Sequence, residues 1–273
     1  MTKLSIITIN LNNADGLKKT IESIINQTFT NYEYIIIDGN STDESVSIIK
    51  QHSEKINYWV SEPDAGIYNA MNKGVIKATG EYCLFLNSGD YLINSNILDV
   101  VFHSKNPNED FVYGNIMRLN KNGKEYEHKA PEKLTFFTFY FSSSICHQAI
   151  FYKRDLFQKY GLYNEDNRIA SDWEFNTLVI IKHNCTTRYL NEPISFFEKN
   201  NLSANEEMNE MERQKALRKH FDEKTLADYE YFKQLRQTPI VSYNLELKSD
   251  FLKATVLFYL KVLVKIQLLF SKK

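Results

Sequence analysis

Four short apolar runs in the first 90 residues constrain this chain more than anything else in it. Leu4 to Leu11 ends in Asn12-Asn13, and Tyr34 to Ile37 ends in Asp38-Gly39-Asn40. Ile56 to Val60 is shorter, and Tyr82 to Leu86 ends in Asn87-Ser88-Gly89-Asp90. Runs of this length and composition read as buried strands. Asn, Asp, Ser and Gly close them because they support tight turns. Between the runs the apolar spacing is helical: Leu17, Ile21, Ile24 and Ile25, then Val46, Ile48 and Ile49 behind a capping-box spacing from Ser41 to Glu44, then Ile67 to Lys77. Strands alternating with helices predict an α/β fold with a mostly parallel sheet flanked by helices.

Such sheets bind ligands at the carboxyl ends of their strands. Asp38 and Asp90 both stand there, each beside a glycine. Asp90, on its glycine-relaxed turn at that edge, can hold a hard divalent cation against a diphosphate. It can equally be a turn-forming residue and nothing more.

Bulk composition narrows the partners. At 273 residues, 43% hydrophobic and 25% charged, the chain has the make-up of an ordinary globular protein with a sizeable core. A net charge of -1 argues against a dedicated nucleic-acid binder. Cys83, Cys146 and Cys185 are dispersed, with no CxxC spacing, and read as reduced thiols. Leu4 to Leu11 is too short for a secretory signal and is broken by Asn10, so it reads as the first strand.

After residue 103 the pattern changes. Phe111 to His128 reads as a strand pair turned at Lys121-Asn122-Gly123, His147 to Tyr152 as a strand, and Asp172 to Ile181 as a helix. Leu134 to Phe141 is densely aromatic, which suits core packing, an acceptor wall or a membrane-facing surface. From Asn205 onward the pattern is helical. Its last stretch, from Asp250, is strongly aliphatic, with Lys253, Lys261, Lys265 and Lys272 on one helical stripe. Central lysines suit a spanning helix poorly and an interfacial helix on anionic lipid well. Packing against the body or a partner subunit is the other reading, and a homo-oligomer is left open.

Four ordered blocks carry a resemblance to a known family: Leu4 to Asn13; Tyr34 to Ser45; Ser61-Glu62-Pro63-Asp64-Ala65-Gly66-Ile67-Tyr68-Asn69-Ala70-Met71-Asn72-Lys73-Gly74; and Tyr82 to Asp90. Together they resemble the nucleotide-sugar domain of the family 2 glycosyltransferases, of GT-A fold, in the branch that builds bacterial surface polysaccharides. The resemblance is dense over the first third and looser to about Ile181. It implies a GT-A domain over 1–200, with a nucleotide-sugar half at 1–103 and an acceptor half at 104–200. Residues 201–273 are then a helical extension with an amphipathic tail.

By that resemblance the enzyme is inverting and metal-dependent. It moves one sugar from a nucleotide-diphosphate donor, with UDP favoured, to a lipid-linked saccharide or polysaccharide. Thr8, Asn10, Leu11 and Asn12 line the nucleoside, Asp38 accepts the uracil imino proton, and Asp64, Lys73 and Ser88 face the donor. Asp90 holds Mg²⁺ or Mn²⁺. The family often carries two adjacent acids at this turn, where this chain has Gly89 and Asp90, and often has Tyr where it has Leu11. Asp172, in Ala170-Ser171-Asp172-Trp173-Glu174-Phe175, matches the family's general base, with Glu174 as the fallback. His147, Gln148, Trp173 and Glu174 are the acceptor-side candidates. The Gln-x-x-Arg-Trp block of processive members is missing, which favours single-sugar addition. The implied location is cytoplasmic, peripheral on the inner face of the membrane.

Two other classes fit parts of the pattern. A nucleotidyltransferase shares the sheet and acidic edge but usually has an early Gly-rich basic loop, which Asn10 to Gly16 lacks. A non-catalytic nucleotide-sugar-binding scaffold at the membrane would leave Asp172 inert.

Overall fold

The structure is a computed structural model that describes residues 2–141, 145–197, 205–237, 254–255 and 257–263. The described chain falls into two compact units, Met1–His220 and Phe221–Lys273.

The first unit is built on one nine-stranded sheet. Its amino-terminal half alternates β1 (Leu4–Asn10), α1 (Ala14–Ile25), β2 (Tyr32–Asp38), α2 (Ser45–Gln51), β3 (Tyr58–Ser61), α3 (Ile67–Lys77) and β4 (Tyr82–Phe85). Strands β3, β2, β1 and β4 lie side by side and parallel, with Asn10 opposite Asp38 and Asp38 opposite Ser61. Parallel pairing sends all four carboxyl ends to one edge, which is what gathers the site. Strands β1 and β4 are buried throughout, and the end of β2 is too. That explains their unbroken apolar runs.

Helix α3 lies close on β1 because residue 74 is glycine. A Cβ there would come within 2.3 Å of Ile7 Cγ2. This fixes the depth at which the first turn of α3 meets the strand ends.

Beyond β4 the sheet is mixed. After β5 (Tyr91–Leu92) a short helix α4 (Ile97–Asp99) runs into a π-helical turn, Val100–Lys105. Next come β6 (Phe111–Leu119), β7 (Glu125–His128), α5 (Phe136–Phe141), β8 (Ile150–Lys153), α6 (Asp155–Tyr160), α7 (Ser171–Thr177), β9 (Thr187–Phe196) and α8 (Glu206–His220). Strand β8 joins β4 and β6 antiparallel, β9 runs parallel to β6, and β5 closes on β9. The expected hairpin is β6–β7, turned at Gly123 with φ +73°.

Several boundaries differ from the sequence reading. Helix α2 starts at Ser45, not behind a Ser41 cap: the Ser41 hydroxyl bonds Asp38, and Asp43 takes the Ser45 N–H. His147 to Ala149 form a 3₁₀ turn before β8. The helix expected from Asp172 to Ile181 is α7 followed by a π turn, Leu178–Lys182. The aromatic stretch forms α5, with Phe136 and Phe139 buried and Phe137 exposed.

The second unit contains helix α9 (Glu223–Gln237) and, among the described tail residues, helical positions 254–255 and 257–263. Most of the tail expectation, including Lys253, Lys265 and Lys272, lies outside the described residues. Among the described residues no helix is long and apolar enough to cross a membrane.

Candidate active site

The nucleoside side of the strand edge is organised by one buried carboxylate. Asp38 Oδ1 accepts from Asn10 Nδ2 at 2.7 Å and Ser41 Oγ at 2.6 Å. Its Oδ2 accepts from Ser41 N at 2.9 Å and Ser61 Oγ at 2.6 Å. A carboxylate has about four acceptor positions, so Asp38 is complete within the chain and ties together the ends of β1, β2 and β3. Beside it lies Asn10 Oδ1, buried and without a hydrogen-bond partner among the described residues. Asn12, at φ +50°, bridges to the loop after β2 through Ser41 Oγ and Thr42 N.

Leu11 is 61% exposed at the same edge. It approaches Asp64 across Gly39, where a Cβ would lie 3.3 Å from Leu11 Cδ1 and 3.1 Å from Asp64 Oδ2. Glycine at 39 keeps that passage clear. Thr8 lies deeper: it is fully buried, and its hydroxyl accepts from Tyr34 Oη at 3.1 Å.

On the phosphate side Lys73 is held by its own loop. Its Nζ donates to Asp64 Oδ1 at 2.6 Å and Pro63 O at 3.2 Å, and pairs with Glu62 at 2.8 Å. Burial lowers the Lys73 pKa, but the bonds to Asp64 and Glu62 outweigh it and hold the ammonium above its ordinary range. Three contacts use the three protons of an ammonium, so Lys73 fixes the turn before α3.

The turn after β4 is clamped onto α1. Gly89 N donates to Thr20 Oγ1 at 3.0 Å, Thr20 Oγ1 donates to Asp90 O at 2.7 Å, and Asn13 Nδ2 holds Ser88 O at 2.9 Å. Asp90 is buried within this turn. Among the described residues no group of three His, Cys, Asp or Glu side chains converges on a cation position. A single carboxylate still suits Mg²⁺ or Mn²⁺, which bind through one or two carboxylates and take most remaining ligands from phosphate and water.

Asp172 is the second residue of α7, its side chain 13% exposed. Its Oδ1 lies 2.9 Å from Tyr68 Oη, and its Oδ2 3.4 Å from His147 Nδ1. The other nitrogen of His147 lies 3.1 Å from Asn87 Nδ2, at the end of β4. Burial lowers the His147 pKa, but the bond to Asp172 and the charges of Asp172 and Asp90 outweigh it, so the net shift is upward. The fold therefore brings Asn87, His147, Asp172 and Tyr68 into one chain of contacts, within the field of Asp90.

The remaining acceptor-side candidates are interior residues. Gln148 is buried. Trp173 is buried with the Arg213 guanidinium 4.5 Å above its ring. Glu174 Oε1 accepts from Lys219 at 3.0 Å and meets His220 Nε2 at 2.7 Å, while Oε2 accepts from Asn164 at 3.0 Å and Asn167 at 2.7 Å. Burial raises the Glu174 pKa, but these bonds override it and bring it to about 2. Such a carboxylate is an anchor, poorly suited to taking a proton at neutral pH.

Helix α8 supplies residues that the sequence reading missed. Glu212 accepts the backbone N–H groups of Arg168 at 2.7 Å, Ile169 at 2.9 Å and Ala170 at 2.9 Å. These three residues lead directly into Asp172. Tyr68 lay inside a quoted block, but nothing local marked its reach of 104 residues to Asp172.

The sheet, with its parallel strand edge and acidic turn facing helix-borne Asp172, has the GT-A type of fold. The sequence matches Glycosyl transferase family 2 over residues 5–161, and the chain belongs to that family. The nucleotidyltransferase reading is thereby set aside. A PGL/p-HBAD biosynthesis glycosyltransferase of Mycobacterium bovis (strain BCG / Pasteur 1173P2) is 35% identical over 191 residues, 68% of this chain and 73% of the relative. The poly(ribitol-phosphate) beta-N-acetylglucosaminyltransferase TarP of Staphylococcus aureus (strain N315) is 34% identical over 119 residues, 42% of this chain and 36% of that protein. The fold is similar to that of S. aureus TarS 1-349, solved in complex with UDP-GlcNAc. There the TM-score is 0.65 at 18% identity, over 90% of this chain and 76% of that one.

Proposed function

We propose that this enzyme transfers one sugar from a uridine-diphosphate sugar to a lipid-linked saccharide or polysaccharide of the cell surface, with inversion, and that Asp172 is the general base. The carrying observation is the setting of Asp172. It is a partly exposed carboxylate held on both oxygens by side chains from other elements, one of which, His147, leads to the β4 edge.

Glycosyl transfer needs a proton acceptor for the incoming hydroxyl and stabilisation of the departing diphosphate. Asp172 meets the first need: it takes the hydroxyl proton as that oxygen bonds to the anomeric carbon on the face opposite the diphosphate. Asp90 would hold a divalent cation, which when bound supplies charge stabilisation to the leaving diphosphate. Asn10, Leu11 and Asn12 line the nucleoside, and Asp38 serves that edge by fixing Asn10 and Ser41. Asp64, Ser88 and Lys73 shape the diphosphate turn. Names of relatives support the substrate class: one acts on poly(ribitol-phosphate), and a structural neighbour was solved with UDP-GlcNAc.

We infer a membrane-surface site for the same chemistry. The described tail carries Leu257, Phe258, Tyr259, Val262 and Leu263 exposed beside Lys261, a composition that suits an anionic bilayer interface.

The test is UDP release from UDP-glucose, UDP-galactose and UDP-GlcNAc, with Mn²⁺, with Mg²⁺ and with excess chelator. Turnover of one donor that chelator stops and Asp172→Asn abolishes is expected. Preference for a guanosine donor would redirect the nucleotide assignment, and full activity in chelator would remove the metal from it.

A further inference from the structure

The Tyr68 hydroxyl lies within reach of two acceptors and has one proton to give. Its Oη is 2.6 Å from the Ile169 carbonyl oxygen and 2.9 Å from Asp172 Oδ1. With Asp172 ionised, one of these acceptors is always left over. With Asp172 protonated at Oδ1, the count closes. The Asp172 hydroxyl donates to Tyr68 Oη, and the Tyr68 hydroxyl donates to Ile169 O. The arrangement thus satisfies every group once the base has taken its proton.

Tyr68 is also held rigidly enough to act on its neighbour. It is nearly buried, its ring lies 5.6 Å from that of Tyr163, and it sits in the first turn of α3. The helix is seated close on β1 where residue 74 is glycine, and the loop that leads into its first turn is held by Lys73 on Asp64, Pro63 and Glu62.

We propose that Tyr68 is a positioning residue for the general base: it aims Asp172 and accommodates the proton that Asp172 receives. This rests on the reading of Asp172 as the base. In the step, the acceptor hydroxyl oxygen bonds to the anomeric carbon, the bond from that carbon to the diphosphate oxygen breaks with its electron pair leaving on the diphosphate, and the hydroxyl proton goes to Asp172. Tyr68 loses and gains no proton overall; its O–H turns from Asp172 to Ile169. The helix that carries Tyr68 begins just after the Asp64 turn, so the donor side of the sheet is mechanically tied to the base.

The titratable groups that feel the charge of Asp172 come from several elements. They are Tyr68 on α3, Cys146 and His147 ahead of β8, Tyr152 on β8, Tyr163 between α6 and α7, and Arg213 on α8. A variant that removes only the Tyr68 hydroxyl leaves the others in place.

Tyr68→Phe keeps the ring packing and removes the hydroxyl. We expect kcat for UDP release to fall about tenfold or more while the donor KM stays unchanged. 3-Fluorotyrosine at position 68 keeps the ring and the hydroxyl but makes the hydroxyl a stronger donor, so kcat should change while the donor KM again stays unmoved. A role limited to packing predicts wild-type kcat for that protein. Wild-type kcat in Tyr68→Phe would overturn the inference. If Tyr68→Phe fails to fold, the fluorotyrosine protein decides, and wild-type kcat there overturns the inference. Asp172→Asn separates the two levels of argument. Wild-type transfer by that variant defeats the base reading itself, whereas an inactive Asp172→Asn beside a normal Tyr68→Phe defeats only the role of Tyr68.

Discussion

Asp172 and Glu174 stand two residues apart on α7 and are held in opposite ways. Glu174 is closed off by Lys219, His220, Asn164 and Asn167, whereas Asp172 is gripped by Tyr68 and His147 and keeps an exposed face. One acid anchors α8, and the other is available for chemistry. Asp172→Asn should therefore lower kcat by roughly 10²-fold or more with donor affinity kept. Loss of donor binding with kcat intact would make Asp172 a donor-site residue.

Glu174→Gln should act on stability instead. The folded-state pKa of Glu174 lies at about 2 against an ordinary 4.5. A depressed carboxylate stabilises the fold above its unfolded pKa, and that contribution is lost as pH falls from about 4.5 toward 2. The shift corresponds to about 3 kcal/mol at neutral pH as an order of magnitude. Thermal melts of wild type and Glu174→Gln should differ clearly at pH 7 and converge near pH 2 to 3. A gap of constant size over that range would remove the ion contacts as its cause.

Asp38→Ala removes the acceptor shared by Asn10, Ser41 and Ser61. Stranding those donors, of which Asn10 is buried and the two serines half-buried, should cost about 2 kcal/mol. Binding of UDP should weaken with it, more than binding of free diphosphate, because the nucleoside edge loses its frame while the turn at Asp90 does not. Calorimetry with both ligands checks this. Equal weakening of the two would show that Asp38 acts on the whole edge and not on the nucleoside end.

The strand edge that carries the candidate residues was legible in the sequence, for a physical reason. Short-range turn chemistry ends β1, β2 and β4 at Asn10, Asp38 and Asn87-Ser88-Gly89-Asp90, and parallel pairing then brings those ends together. Side-chain roles at that edge were less legible. A saturated Asp38 and a loop-bound Lys73 depend on contacts with Ser61, Pro63 and Glu62 that no spacing rule announces. Glu174 looked like a second base because burial and partnership with residues 45 and 46 positions away leave no mark on its neighbours. Helix α8 read only as part of a helical extension for the same reason: Glu212 finds its partners in the loop before α7, which presents three N–H groups to it.

That contact makes a prediction about a residue outside the recognised blocks. Glu212→Ala should free the loop at Arg168 to Ala170 and disorder the approach to Asp172. We expect faster hydrogen exchange at those three amides and a lower kcat, with UDP affinity unchanged, because the strand edge is untouched. Glu212→Gln should recover part of the loss, since its carbonyl oxygen can still accept. Unaltered exchange at residues 168 to 170 in Glu212→Ala would show that other contacts hold the loop.

The tail carries the last prediction. Leu257, Phe258, Tyr259, Val262 and Leu263 are exposed, several of them by half or more, so water faces an apolar surface that a bilayer interface would cover. Lys261 stands among them, and each lysine near an anionic surface adds about 1 kcal/mol at most. The protein should sediment with vesicles containing phosphatidylserine, less so as salt rises, and a chain ending before Asp250 should stay in the supernatant. Because the proposed catalytic residues all lie upstream of His220, the shortened chain should still release UDP from its donor with a water-soluble acceptor. Loss of that activity together with dissociation of an oligomer would instead assign the tail to a subunit contact.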